Sequence, residues 1–116
     1  MEIVNIEPSG SSSGAYVMVL AEKEGPRKLS IVIGETEAQS IAIELEKMRA
    51  SRPLTHDLFK SALVGFGLKL TEVVIQNVVE GIFYSNLVIT DGEQVHEVDA
   101  RPSDAVALAY RFDCPI

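Results

Sequence analysis

The sequence predicts an α+β fold, a mostly antiparallel β-sheet system carrying three helices in the order βββαα-βββα. Two observations carry this expectation. Six short runs rich in β-branched and aromatic residues are separated by Gly, Pro, Ser and Asp turn signals, and three other windows place apolar residues at helical spacing. At 116 residues the chain, 1–116, reads as a single domain with one sizeable core.

The first strands are EIVNI (2–6), AYVMVLA (15–21) and KLSIVI (28–33), linked by the polar loop PSGSSSG and by EKEGPR with its Gly25-Pro26 turn. GETEAQSIAIELEKM then opens a helix, with Thr36 as the expected N-cap and Gln39 as its capping-box partner. Ala38, Ile41, Ala42, Leu45 and Met48 follow i, i+3, i+4, i+7 spacing and form the expected buried stripe. Ile43 falls on the opposite side, a candidate contact for a neighbouring helix or subunit. A second helix is expected over roughly Thr55 to Val64, ended by Gly65 or Gly67. KLTEVVIQNVVE (69–80) and IFYSNLVIT (82–90) read as strands joined at Glu80-Gly81, and Asp91-Gly92 as the hairpin turn into QVHEVD (94–99). The third helix spans about Ser103 to Phe112, and Asp113-Cys114-Pro115-Ile116 reads as the lead-in to a further element.

The order repeats itself. A shift of 65 positions lays IVIGETEAQSIAIEL (31–45) over HEVDARPSDAVALAY (96–110), matching residue type more than identity. An internal duplication is the expectation, with two halves around a pseudo-twofold axis and the polar helix starts facing one cleft.

Composition narrows the function classes. No apolar run approaches the roughly 18 residues of a membrane span, and MEIVNIEP lacks the basic-then-apolar pattern of a signal peptide, so a cytoplasmic protein is expected. The single cysteine, Cys114, excludes an internal disulfide and a Cys-rich zinc site. A net charge of −7 argues against high-affinity nonspecific coating of nucleic acid, which depends on Lys and Arg releasing counterions. An acidic enzyme can still act on RNA or DNA where a cation or a local arginine cluster offsets the field. Strands such as KLTEVVIQNVV carry β-branched residues on both faces, which predicts a homodimer or larger assembly.

Two stretches concentrate polar chemistry. In EVDARPSDAVALAYR (97–111), Pro102 suits a first helical turn, Ser103 or Asp99 can cap free amides, and Asp104 suits the helix dipole. Ser103, Asp104, Ala107 and Arg111 line one narrow stripe of an otherwise apolar helix, so that stripe must face solvent, a cleft or a partner. RPLTHDL (52–58) repeats the grammar, with Arg52-Pro53, a capping candidate at Thr55, then His56 and Asp57 in the first turn. A helix N-terminus favours neutral imidazole, which leaves a ring nitrogen to accept a proton or bind a metal. Both stretches also read as caps with structural ion pairs, and residue types alone leave that choice open. His96, in an alternating strand, reads as solvated surface, and Cys114 ahead of Pro115 is a poor thiol nucleophile. Gly-rich phosphate cradles and a Gly-x-Ser-x-Gly elbow are absent.

IGETEAQSIA (33–42), RPLTHDL (52–58), IFYSNLVI (82–89) and EVDARPSDAVALAYRFDCPI (97–116) together resemble the bifunctional nuclease family, the domain of unknown function 151. The likeness spans almost the whole chain, and its two Arg-Pro motifs are the specific part. It implies a nuclease domain of the kind credited in plants with RNase and DNase activity. Arg52, Thr55, His56, Asp57, Asp99, Arg101, Ser103 and Asp104 stand at the motif positions.

Phosphodiester hydrolysis needs a nucleophilic water, charge neutralisation at phosphate and help for the leaving oxygen. Asp57, Asp99 and Asp104 are the expected oxygen ligands of a Mg²⁺ or Mn²⁺ ion, Arg52 and Arg101 the phosphate clamp, and His56 the acid or base. Thr55 and Ser103 take capping roles. Against this stands a non-enzymatic regulatory or binding domain whose Arg-Pro motifs lock the halves together. An enzyme for a small phosphorylated metabolite would reuse the same arginines.

Overall fold

A computed structural model describes residues 1–10, 14–48, 51–79 and 82–116. The element order is β1 (Glu2–Pro8), β2 (Ala15–Ala21), β3 (Lys28–Gly34), α1 (Glu35–Leu45), α2 (Thr55–Gly65), β4 (Lys69–Val79), β5 (Ile82–Thr90), β6 (Val95–Ala100) and α3 (Pro102–Phe112). This is the α+β arrangement that the sequence predicts. The strands form two antiparallel three-stranded sheets, β1-β2-β3 and β4-β5-β6. The expected turn at Glu80-Gly81 lies outside the described residues.

The second half repeats the first in a corrected register. β4, β5, β6 and α3 begin at residues 69, 82, 95 and 102, each 67 positions after β1, β2, β3 and α1 at 2, 15, 28 and 35. The shift of 65 aligned residue types along the helices, whereas the backbone aligns N-cap Gly34 with N-cap Arg101.

Period-2 alternation decides which strand faces turn inward. Ile31 and Ile33 are buried while Val32 between them is 69% exposed, and Ser85, Leu87 and Ile89 fill the inner face of β5. The β5–β6 connection runs from Asp91 to Gln94. Gly92 takes φ 102°, a conformation that suits glycine, and Asp91 Oδ1 accepts from the amides of Glu93 and Gln94 at 2.8 Å each. Those two amide bonds hold the Asp91 carboxyl below its usual range.

Helix α3 is the axis of the molecule. Val106 and Ala107 join Met18, Leu20, Ile31, Ile33, Ala38 and Ile41 in one apolar cluster, while Ala105, Leu108 and Ala109 join Leu70, Val73, Leu87 and Ile89 in another. Small alanines let both sheets approach one helix, which explains the AVALA run in the sequence. Asp113 ends the helix in the left-handed conformation, with φ 54°, and the following residues run beside β4, where the Val73 amide donates to the Pro115 carbonyl at 2.9 Å. Burial pushes the Cys114 thiol up to about 11, consistent with a thiol that is not a nucleophile.

Several local expectations are corrected. Helix α1 begins directly from β3 at Gly34, so Thr36 and Gln39 form no capping box, and the N-cap has no side-chain hydrogen bond. Leu45 and Met48 are 40% and 59% exposed, because only the first two turns of α1 lie over the sheet and α3. Leu54 rather than Thr55 is the N-cap of α2, and Arg101 rather than Ser103 that of α3. Ser103 is buried instead, without a capping bond.

Candidate functional site

Three helices meet at one guanidinium. The Arg111 side chain, 2% exposed, donates from Nε to Asp57 Oδ1 at 2.7 Å, from Nη1 to the Ala107 carbonyl at 3.1 Å, and from Nη2 to Ser40 at its carbonyl (3.2 Å) and Oγ (3.3 Å). One side chain thus ties α1, α2 and α3. Asp57, third residue of α2, reaches back with Oδ2 to the Leu54 amide at 3.0 Å. The bond from Arg111, helped by that amide against the opposing effect of burial, holds the Asp57 carboxyl below its usual range.

His56 sits one residue earlier, its side chain 13% exposed, with Nδ1 2.7 Å from Ser40 Oγ and Nε2 2.9 Å from Asp104 Oδ1. Arg101 Nε donates to the other oxygen, Asp104 Oδ2, at 2.9 Å. Its Nη1 lies 2.9 Å from Glu37 Oε1 on α1, so Arg101 reaches across to the other half of the repeat. Burial pushes the Asp104 carboxyl up, but the hydrogen bonds from Arg101 and His56 outweigh it and the net shift is downward. Asp104 in turn raises Arg101 further.

Beside this network opens a cavity of about 500 Å³, lined by Ile43, Lys47, Arg52, Asp57, Ser61 and Arg111 among others. Arg52 is exposed there and, unlike Arg101 and Arg111, makes no ion pair among the described residues. The cavity therefore offers one unengaged guanidinium at its mouth and one fixed guanidinium at its wall.

The two Arg-Pro motifs do approach each other, through His56 and Asp104, despite 48 positions of separation. Asp99 does not join them. It lies exposed on β6 opposite Asn86 of β5. The three carboxylates expected as metal ligands do not gather, and among the described residues no group of three His, Cys, Asp or Glu side chains is arranged to hold an ion. Asp57 and Asp104 each have both oxygens engaged by the chain's own donors. Arg101 is committed to Asp104 and Glu37 and does not line the cavity, so Arg111 takes the place beside Arg52 that the sequence reading gave to Arg101.

Sequence reasoning missed Ser40 and Glu37, and left Arg111 without a role. A signal for Arg111 existed, since it shares the polar stripe of α3 with Asp104. Ser40 gave none, because a lone serine in an amphipathic helix looks like solvated surface.

These features define a duplicated α+β domain whose three helices converge on a His–Asp–Arg cluster beside a cavity lined by Lys47, Arg52 and Arg111 together with the carboxylates of Glu44 and Asp57. Residues 18–116 match the bifunctional nuclease domain, and the chain belongs to that family. It is 43% identical over 100 residues to uncharacterized proteins from two strains of Mycobacterium tuberculosis, the match covering 86% of this chain and 59% of theirs. It is 28% identical over 109 residues to bifunctional nuclease 1 of Oryza sativa and to the bifunctional nuclease of Oryza minuta, covering 90% of this chain and 33% of those. The matched region thus spans less than two thirds of the length of the mycobacterial relatives and about a third of the plant ones.

Proposed function

We propose that the chain is a cytoplasmic phosphodiester hydrolase acting on RNA or DNA, with 1–116 working as one nuclease domain. The observation that carries this reading is the His56–Asp104 pair, linked through Ser40 and Arg111 to a cavity that Arg52 and Arg111 line. Arg52 binds phosphate, and Arg111, kept rigid by Asp57, adds its fixed positive charge from the cavity wall. Asp104 orients the His56 ring, which is the task a carboxylate performs for a catalytic histidine. Arg101 and Glu37 fix Asp104 in place. Binding through two guanidiniums rather than a basic surface fits a chain of net charge −7.

A Mg²⁺ or Mn²⁺ ion does not fit the carboxylates as they stand, since each oxygen of Asp57 and Asp104 already accepts from the chain's own donors, Asp99 lies exposed on β6, and no three ligands gather among the described residues. One observation favours a second reading, a binding or regulatory domain in which the cluster is purely structural. Among the described residues, no buried side-chain polar atom lacks a hydrogen-bond partner.

The test is cleavage of single-stranded and duplex RNA and DNA by freshly purified protein, in chelator and with added Mg²⁺ or Mn²⁺. A His56→Ala preparation serves as the control. Cleavage lost in the variant supports the hydrolase, equal cleavage in both identifies a contaminant, and no cleavage in any arm leaves the structural reading standing.

We also propose self-association. Leu58, Phe59, Val64 and Phe66 on α2 and its C-terminal turn are 62%, 41%, 55% and 83% exposed, an apolar surface unusual for a monomer of this size. Light scattering at micromolar concentration should give a mass above 12.6 kDa, and a monomer mass would end the idea.

A further inference from the structure

His56 has no ring nitrogen free for substrate. Nε2 faces Asp104 and Nδ1 faces the Ser40 hydroxyl. A carboxylate accepts only, so the neutral ring carries its proton on Nε2 towards Asp104 and presents Nδ1 as the acceptor of the Ser40 O–H. The proton that His56 can take without rearrangement is therefore the one on Ser40.

We infer that Ser40 is the nucleophile of this site, attacking the phosphorus of a phosphodiester to form a covalent phosphoseryl intermediate. The inference rests on the hydrolase reading above. The order Ser40–His56–Asp104 reproduces the linkage of nucleophile, base and orienting carboxylate that activates a serine, with the two imidazole nitrogens exchanged in role. Arg111 Nη2 donates to the same Oγ at 3.3 Å, which favours the developing alkoxide and places a positive charge beside the phosphoryl oxygens. Ser40 is only half-buried, and its partner Arg111 lines the neighbouring cavity.

Ser40 Oγ bonds to phosphorus as its proton passes to His56 Nδ1, leaving an imidazolium paired with Asp104. The bond from phosphorus to the leaving sugar oxygen breaks on the face opposite Ser40, and that oxygen takes a proton from solvent. Water then attacks phosphorus from the vacated face and loses a proton to solvent, while Ser40 Oγ departs and recovers its proton from His56. One diester and one water become one alcohol and one phosphate monoester.

Diisopropyl fluorophosphate tests the nucleophile independently of nucleic-acid cleavage, because a serine activated in this way displaces fluoride and keeps the phosphoryl group. Mass spectrometry of the Ser40 peptide should find the adduct in the natural protein, and its rate should fall at least about 100-fold in His56→Ala and Asp104→Asn. Ser40→Ala should lose nuclease turnover by at least about 10³-fold, and Ser40→Cys, which retains the hydrogen-bonding shape, controls for misfolding through its circular dichroism and melting curve. An adduct at Ser40 without nucleic-acid cleavage by the natural protein would overturn the nuclease reading and leave the nucleophile standing. No adduct, or a folded Ser40→Ala protein that cleaves as the natural one does, overturns Ser40 as nucleophile.

Discussion

The two halves of the chain share one frame and differ on one helix face. At the offset of 67, Glu37, Ser40 and Glu44 of α1 stand where α3 has Asp104, Ala107 and Arg111. Helix α1 buries only Ala38 and Ile41, whereas α3 buries eight of its eleven residues. The difference teaches how a repeat becomes a site. Two identical faces would oppose like charges, but here one half supplies the acceptors Glu37 and Ser40 and the other supplies Arg101 and Arg111. Helix α2 inserts His56 and Asp57 between them.

The largest effect expected from breaking this asymmetry is at Arg111. Replacing it with Ala leaves Asp57, itself 40% exposed, without its guanidinium and removes the donors to the Ser40 and Ala107 carbonyls, so a loss of about 2–3 kcal/mol is expected, as for hydrogen bonds to a charged group. Urea unfolding measures it. A loss below about 1 kcal/mol would mean that the three helices are held by their apolar contacts alone.

Next comes the acid limb of stability. Asp57 and Asp104 both have folded-state values below their unfolded ones, so each contributes stability that is fully present above the unfolded value. That contribution is lost as pH falls from about 4 through the folded values. Asp57→Asn and Asp104→Asn should flatten the dependence of the denaturation midpoint on pH in that window and change it little near neutrality relative to the natural slope. An acid limb as steep in both variants would assign it to other carboxylates.

Much of the frame was legible because strands, turns and periodicity are local. Asp91-Gly92 reports its turn from two residues, and the alternation of Ile31, Val32 and Ile33 reports a face from three. The motifs also drew attention to His56 and Asp104, which the fold brings within hydrogen-bonding distance. Their surroundings were less legible. Whether Arg111 faces water or lies against Ser40 depends on how α1 crosses α3, and Asp99 is removed from the cluster by ending in β6 rather than in the helix. Leu45 and Met48 continued the helical spacing beyond the point where anything covers them.

Arg52 sharpens the comparison from the other side, since it is the exposed counterpart of a buried guanidinium. Its removal should leave stability within about 0.5 kcal/mol. On the proposed hydrolase reading, losing one charged hydrogen-bonding group to phosphate should raise KM about tenfold with a smaller change in kcat. An unchanged KM would place the phosphate elsewhere.

The smallest effect is expected at Arg101, and it bears on whether the second Arg-Pro motif is a cap or a brace. Its side chain is 66% exposed, and exposed ion pairs are worth about 0–1 kcal/mol after screening and side-chain ordering. Arg101→Ala should therefore cost little stability. It nevertheless releases Asp104 Oδ2 and breaks the link to Glu37, so the carboxylate that orients His56 gains freedom. A brace predicts lower kcat with KM nearly unchanged, and a partial echo of the same loss in Glu37→Gln, with the double variant no worse than Arg101→Ala alone. A cap predicts the opposite pattern, because Arg101 caps α3 with its backbone only and Glu37 plays no part in that helix start. Independent, additive effects of Arg101→Ala and Glu37→Gln on kcat would show that the contact between the halves is incidental to the site.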